Sequence, residues 1–161
     1  MSGTTRTAPD PIATASSTAS SANVDTLPRG RIGRATLTSD HTGITSTANV
    51  LTITNVPVGT SRCLSITAGV TVRSNIAGGI QAAILEDGTQ IQRKNTDALN
   101  AGTDLFIVLE IETQPSAGNH TYDLVVGVSG SAGNSASAIA NGGSGTHGVG
   151  YIYATDVGPS Y

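Results

Sequence analysis

The segment that most narrows the fold is Pro115 to Val128, PSAGNHTYDLVVGV, in which a polar turn opens directly into alternating apolar residues. From Tyr122 onward, Tyr122, Leu124, Val126 and Val128 fall on one face of an extended chain, with Asp123, Val125 and Gly127 on the other. This period of two is that of a half-buried strand beginning at a loop. The same period recurs along the chain. Cys63 to Arg73 is the longest clean alternation, Leu64, Ile66, Ala68, Val70 and Val72 opposing Ser65, Thr67, Gly69, Thr71 and Arg73, as expected of a central strand. Ile80 to Glu86 and Thr89 to Arg93 flank Asp87-Gly88. A type I′ turn needs positive φ at both central residues, so this pair predicts an antiparallel hairpin.

In Asp104 to Thr113, Leu105, Ile107, Leu109 and Ile111 oppose Phe106, Val108, Glu110 and Glu112, and one end is expected to be buried on both sides. Val149, Tyr151, Tyr153, Thr155 and Val157 share a face of a last strand, Val149 to Val157. Ile32 to Thr38 and Asn49 to Thr54, the latter ended by a turn at Asn55 to Thr60, bring the number of strands to about eight. Ser39 to Thr47, Lys94 to Thr103 and Ser129 to Gly148 read as loops. No stretch keeps a helical period beyond a turn, so residues 27–161 are expected to form an all-β domain, an antiparallel β-sandwich or jelly roll.

Residues 1–26 differ in kind. After Met1 they hold Ile12 and Val24 as their large aliphatics, and Pro9 and Pro11 favour extended chain. The segment reads as an extended, low-complexity N-terminal arm, and LPRGRIG, Leu27 to Gly33, marks the boundary. Arg29, Arg31 and Arg34 are three of the eight basic residues. They suit either a charged strand edge that discourages edge-to-edge pairing or a docking patch for an acidic neighbour or another copy of the chain.

At 161 residues the chain can bury a core of its own and still carry an appendage. Charged residues are 12%, against roughly 25% in ordinary globular proteins, which implies a neutral, hydroxyl-rich surface. A formal net charge of -3 offers no basic excess to displace counterions from nucleic acid. Aromatics at 3%, with no Trp, supply neither a base-stacking platform nor the aromatic groove of many sugar-binding modules. The N-terminal stretch lacks the apolar core of a signal peptide, and no apolar run approaches the ~20 residues of a membrane span. A chain made soluble in the cytoplasm is expected, with neither nucleic acid nor membrane as partner. Cys63 is the single cysteine, without an internal disulfide partner, and reads first as a small core residue and otherwise as an interchain or reactive thiol.

Candidate chemistry is sparse. GSGTHG, Gly143 to Gly148, has the spelling of a dinucleotide loop but lies between a loop and a strand instead of opening a helix. His41, His120 and His147 each fall in an expected loop. Asp40-His41 and His120-x-x-Asp123 lack the further groups that a zinc site or a nucleophile requires, and the histidines read as surface or turn residues. Glu110 and Glu112 share a strand face and could approach glycosidase carboxylate spacing, but with no sugar platform nearby they read as a solvated face. Asn119-His120-Thr121 is a glycosylation sequon by spelling, with meaning only in a chain secreted by a eukaryote. No catalytic, metal or cofactor residue is assigned, and no cofactor is expected.

Three stretches, LPRGRIGRATLTSDHTGIT at Leu27 to Thr45, PSAGNHTYDLVV at Pro115 to Val126 and YATDVG at Tyr153 to Gly158, together resemble a β-sandwich module of tailed-bacteriophage virion proteins. The module recurs in minor capsid and minor tail components, especially of actinobacteriophages. The resemblance spans roughly residues 27–158. Relatives often carry a Gly-Arg-Arg run before the central strand, where this chain has Gly59-Thr60-Ser61-Arg62, and their strands are richer in aromatics. The resemblance implies a non-enzymatic structural protein on the exterior of a phage particle. A capsid decoration or minor capsid protein attached to the major capsid protein through its arm is the first expectation; a minor tail or fibre module binding a host-surface glycan or receptor is the alternative. Pro9, Pro11, Ile12, Val24, Arg29, Arg31 and Arg34 are the expected partner contacts. A homotrimer is expected from jelly-roll analogy and from a core of small side chains that subunit packing would supplement.

Overall fold

The computed structural model describes residues 28–97, 99–129, 133–140 and 148–159. Ten strand segments follow in order: β1 (Gly30–Thr36), β2 (His41–Ile44), β3 (Thr47–Val58), β4 (Arg62–Ser74), β5 (Gly79–Glu86), β6 (Thr89–Asn95), β7 (Asp104–Thr113), β8 (Gly118–Ser129), β9 (Ala136–Ile139) and β10 (Tyr151–Pro159). They form two antiparallel sheets. One has the order β1-β10-β4-β9-β2 with β7 on the far side of β4, and the other the order β3-β8-β5-β6.

The branched order has a simple meaning. β4 pairs with β10 along Arg62 to Gly69 and with β9 along Thr71 to Ser74, so β9 and β10 continue one another beside β4. β1 and β2 continue one another in the same way beside β10 and β9. Ten segments therefore occupy eight strand positions, two of them interrupted at the same level. At the interruption the Leu37 N–H donates to the Gly150 carbonyl at 2.8 Å, and the Ala140 N–H donates to Asp40 Oδ1 at 2.7 Å. With the interrupted pairs counted once, the sheets read 1-8-3-6 and 2-7-4-5, the arrangement of a jelly roll. The expected all-β sandwich of about eight strands is the observed fold.

Its core follows from the alternation. Leu64, Ile66, Val70 and Val72 of β4 are fully buried, as are Ile80 and Ile84 of β5 and Tyr122, Leu124 and Val126 of β8. Each such aliphatic removed from water contributes about 1.5–3 kcal/mol. Asp87 and Gly88 both have positive φ, 48° and 80°, as the Asp-Gly hairpin requires.

Several expectations are corrected. The stretches read as loops at Ser39 to Thr47 and Ser129 to Gly148 contain β2 and β9, which pair with each other. Ala136 and Ala138 of β9 are wholly buried despite their small side chains. β3 continues through the expected turn at Asn55 to Val58, because Asn55 adopts positive φ and a register shift between Ile53 and Val56 absorbs the irregularity. β7 is an edge strand, so Val108 is 44% exposed and neither end is buried on both sides. Cys63 is half-buried, on the opposite face of β4 from the buried Leu64, and so is not a core residue. Pro9, Pro11, Ile12 and Val24 lie outside the described residues.

Candidate functional site

One end of the sandwich gathers five chain segments. The pairings Gly30↔Asp156, Val58↔Gly118, Glu86↔Tyr122 and Leu64↔Thr113 bring together the start of β1, the end of β10, the β3–β4 and β5–β6 turns and the β7–β8 connection. The three resembling stretches meet there. Arg34 of the first is register partner to Tyr153 of the third. Gly33 leaves room for Val56 Cγ2, which would lie 3.1 Å from an added Cβ, and Val56 is register partner to His120 of the second.

Arg62 and Asp156 close this end from inside. Arg62 Nε donates to both carboxylate oxygens at 3.1 and 3.0 Å, Nη2 donates as well, and the Gly158 N–H donates to Asp156 Oδ1 at 3.0 Å. The side chains are 3% and 4% exposed. The single basic residue of Gly59-Thr60-Ser61-Arg62 is thus bound to the acid of YATDVG.

Beside this pair lies a second cluster, open to solvent. His120 Nε2 is 2.9 Å from the Ser116 carbonyl, which can only accept, so Nε2 carries a proton. Nδ1 faces Asp87 Oδ2 at 2.7 Å and Glu86 Oε1 at 3.6 Å. Asp87 Oδ1 accepts the Thr121 N–H at 2.8 Å, and Glu86 Oε2 accepts the Thr113 hydroxyl at 3.0 Å. Burial pushes the His120 pKa down, but the Ser116 carbonyl, Asp87 and Glu86 outweigh it and hold it above the ordinary histidine value. The Thr121 N–H, opposed by partial burial and helped by His120, holds Asp87 below the ordinary carboxylate value. Glu86, Asp87, Thr89, Ile91, Ser116 and His120 line a cavity of about 380 Å³. One ligand atom each from Glu86, Asp87 and His120 lie within 4.8 Å of one another. Tyr122 is register partner to Glu86 and shares its sheet face. Its hydroxyl is buried with no partner among the described residues, and burial, then the charges of Glu86 and Asp87, raise its pKa.

His120 is accordingly a buried strand residue, contrary to its reading as a surface or turn histidine. Its acidic partners are Glu86 and Asp87; Asp123, three residues along and on the other face, instead accepts the Thr52 hydroxyl at 2.6 Å. No local spelling links residues 86–87 to 120, which meet only through the β5–β8 register. His41 is exposed on β2, and His147 and most of GSGTHG lie outside the described residues. Glu110 and Glu112 are exposed on β7.

The outer face of the first sheet carries the arginines. Alternation alone would place Arg31 and Arg34 on opposite faces, but the register shift between Arg31 and Gly33 turns both outward. Their guanidinium carbons lie 3.9 and 5.9 Å from the centre of the Tyr153 ring. Tyr153 stacks on Tyr151 at 4.7 Å, and Phe106 lies tilted at 6.4 Å from Tyr151. Gly69 makes this possible, since a Cβ there would sit 2.7 Å from Phe106 Cζ and 2.8 Å from Tyr151 Cε1. Two cross-strand rows, Glu112-Ser65-Thr155-Arg31 and Glu110-Thr67-Tyr153-Arg34, run from an acidic edge at β7 to a basic edge at β1. Arg29 is exposed just ahead of β1.

No family model and no curated protein matches this chain. Among solved structures it is similar to the Gt strain of infectious bursal disease virus at 17% identity, over 81% of this chain and 38% of that one, with a TM-score of 0.48. It is similar to Eiger TNF from S. frugiperda at 8% identity, over 85% and 96% of the two chains, with a TM-score of 0.47. The insecticidal δ-endotoxin Cry8Ea1 from Bacillus thuringiensis shares 14% identity over 70% of this chain, with a TM-score of 0.42. The chain spans 18% of that toxin and 38% of the viral protein. At these identities and TM-scores the likeness carries no argument about function.

Proposed function

We propose that this chain is a non-enzymatic structural protein of a tailed-phage virion, a capsid decoration or minor capsid protein on the particle exterior, held through residues 1–26. The observation that carries this reading is the meeting of the three resembling stretches at one end of the jelly roll, where residue 28 leads into β1. An arm leaving there, with Pro9, Pro11, Ile12 and Val24 along it and Arg29, Arg31 and Arg34 at its root, would cover a long track of a major capsid protein. Ordering such an arm costs chain entropy but adds contact area, and symmetric copies convert weak contacts into avidity. Deletion of residues 1–26 is expected to abolish occupancy on purified shells of the parent phage, measured by sedimentation with the shells. Undiminished occupancy rejects the tether.

The graded outer face supports a homotrimer. An acidic β7 edge on one copy complements a basic β1 edge on the next, a head-to-tail contact of the kind that forms a ring where its rotation closes. Light scattering should give three times the chain mass. Arg31→Glu with Arg34→Glu should return a monomer, and adding Glu110→Arg with Glu112→Arg should restore the trimer. A mass unmoved by the first pair refutes this interface.

A tail or fibre module binding a host-surface glycan is the second reading, favoured by Phe106, Tyr151 and Tyr153 on one outward face. It requires saturable binding to host cell-wall polysaccharide that Tyr153→Ser removes.

A further inference from the structure

We infer that Glu86, Asp87 and His120 form a binding site for one divalent first-row transition cation of the zinc type, which staples the β5–β6 turn to the start of β8. The donors come from two segments that the chain keeps apart and the fold brings together: Glu86 ends β5 and Asp87 follows it in the Asp-Gly turn, while His120 lies near the start of β8. Their ligand atoms are already within 4.8 Å of one another, so a cation at ordinary bonding distance needs only small side-chain rotations.

The surroundings orient the donors as a metal site does. Ser116 holds Nε2, which fixes the imidazole plane and leaves Nδ1 aimed between the two carboxylates. Ligating histidines are commonly oriented by such a carbonyl on their other nitrogen. The Thr121 N–H and the Thr113 hydroxyl occupy one oxygen of each carboxylate and leave the other turned toward His120. Tyr122 supplies an independent sign. It is fully buried, its hydroxyl has no partner among the described residues, and it lies on the same face as Glu86 and His120, near enough to both carboxylates to feel their charge. A water carried by the cation would give that hydroxyl the partner it lacks.

The donor set selects the metal. One imidazole with two carboxylates suits Zn²⁺ or Mn²⁺, whereas Ca²⁺ and Mg²⁺ prefer all-oxygen shells. The inference is independent of the virion reading, since the staple acts within one chain.

The test uses the full chain, stripped with chelator, dialysed and titrated calorimetrically with ZnCl₂, then with CaCl₂. The expected result is one Zn²⁺ per chain, a rise of several degrees in Tm on saturation and far weaker binding of Ca²⁺. Asp87→Asn and His120→Gln should each weaken Zn²⁺ at least tenfold, while His41→Gln, on exposed β2, should leave it unchanged. Asp87 is 51% exposed, so Asp87→Asn keeps the fold and decides the matter even where His120→Gln unfolds. Absence of Zn²⁺ binding at millimolar concentration, equal affinity in Asp87→Asn, or Ca²⁺ binding as tight as Zn²⁺ overturns the inference.

Discussion

The two charged clusters at the end of the sandwich where β1 begins use similar residues in opposite ways. Arg62 and Asp156 are withdrawn from solvent, and the carboxylate is satisfied by Arg62 and the Gly158 N–H. Glu86, Asp87 and His120 stand a short way along the same end, rimmed by a cavity, with Asp87 half in water and a buried Tyr122 hydroxyl left without a partner. Charge at a sandwich end is therefore no guide to purpose by itself. What separates the two is whether donor and acceptor capacity is used up. A sealed pair makes itself felt mainly when one member is removed, because its partner is then stranded. An open, partly unsatisfied cluster keeps the capacity to hold something else.

The largest expected effect breaks the sealed pair. Asp156→Ala should cost about 3–5 kcal/mol, because it takes from the buried Arg62 guanidinium the carboxylate to which Nε and Nη2 donate. The double variant Arg62→Met with Asp156→Leu should recover more than half of that loss in urea unfolding. A single-variant cost as small as that of an exposed pair would show that the end is not closed by this contact. The next effect falls on the open cluster. Tyr122→Phe removes an unpartnered buried hydroxyl and should raise metal-free stability by about 1–3 kcal/mol, seen as a higher Tm; a lower Tm would mean the hydroxyl is satisfied after all. The smallest effect lies outside both clusters. Arg31→Ala loses an exposed cation–π contact and should cost about 0.5–1 kcal/mol, a loss that Arg31→Lys should partly spare.

Much of the architecture is legible in the residues. Leu64 to Val72 alternates so regularly that β4 could only be central, and Asp87-Gly88 fixes the β5–β6 hairpin to the residue. β2 and β9 escape notice because Gly, Ser, Thr and Ala carry little hydrophobic contrast; they become strands because β9 pairs with β4 and β2 pairs with β9. The outward turn of both Arg31 and Arg34 is equally invisible, since a bulge breaks the period that a reader would apply. The candidate site is less legible still. His120 could be noticed and Asp87 assigned to a turn, but only the register Glu86↔Tyr122 makes them neighbours. A period of two tells which face a side chain takes, not which strand lies beside it.

The pairing of β1 with β10 also bears on how the domain comes into being. Gly30 finds Asp156, and Arg62 finds the same residue, only after most of the chain has been synthesised. Contacts of such sequence separation place jelly rolls among the slow folders, on millisecond-to-second scales. Until β10 arrives, the Arg62 to Gly69 edge of β4 and the first strand lie bare, a template for pairing with a neighbouring chain. Edge charges such as those of Arg29, Arg31 and Arg34 discourage that pairing during the interval in which the strand has no mate.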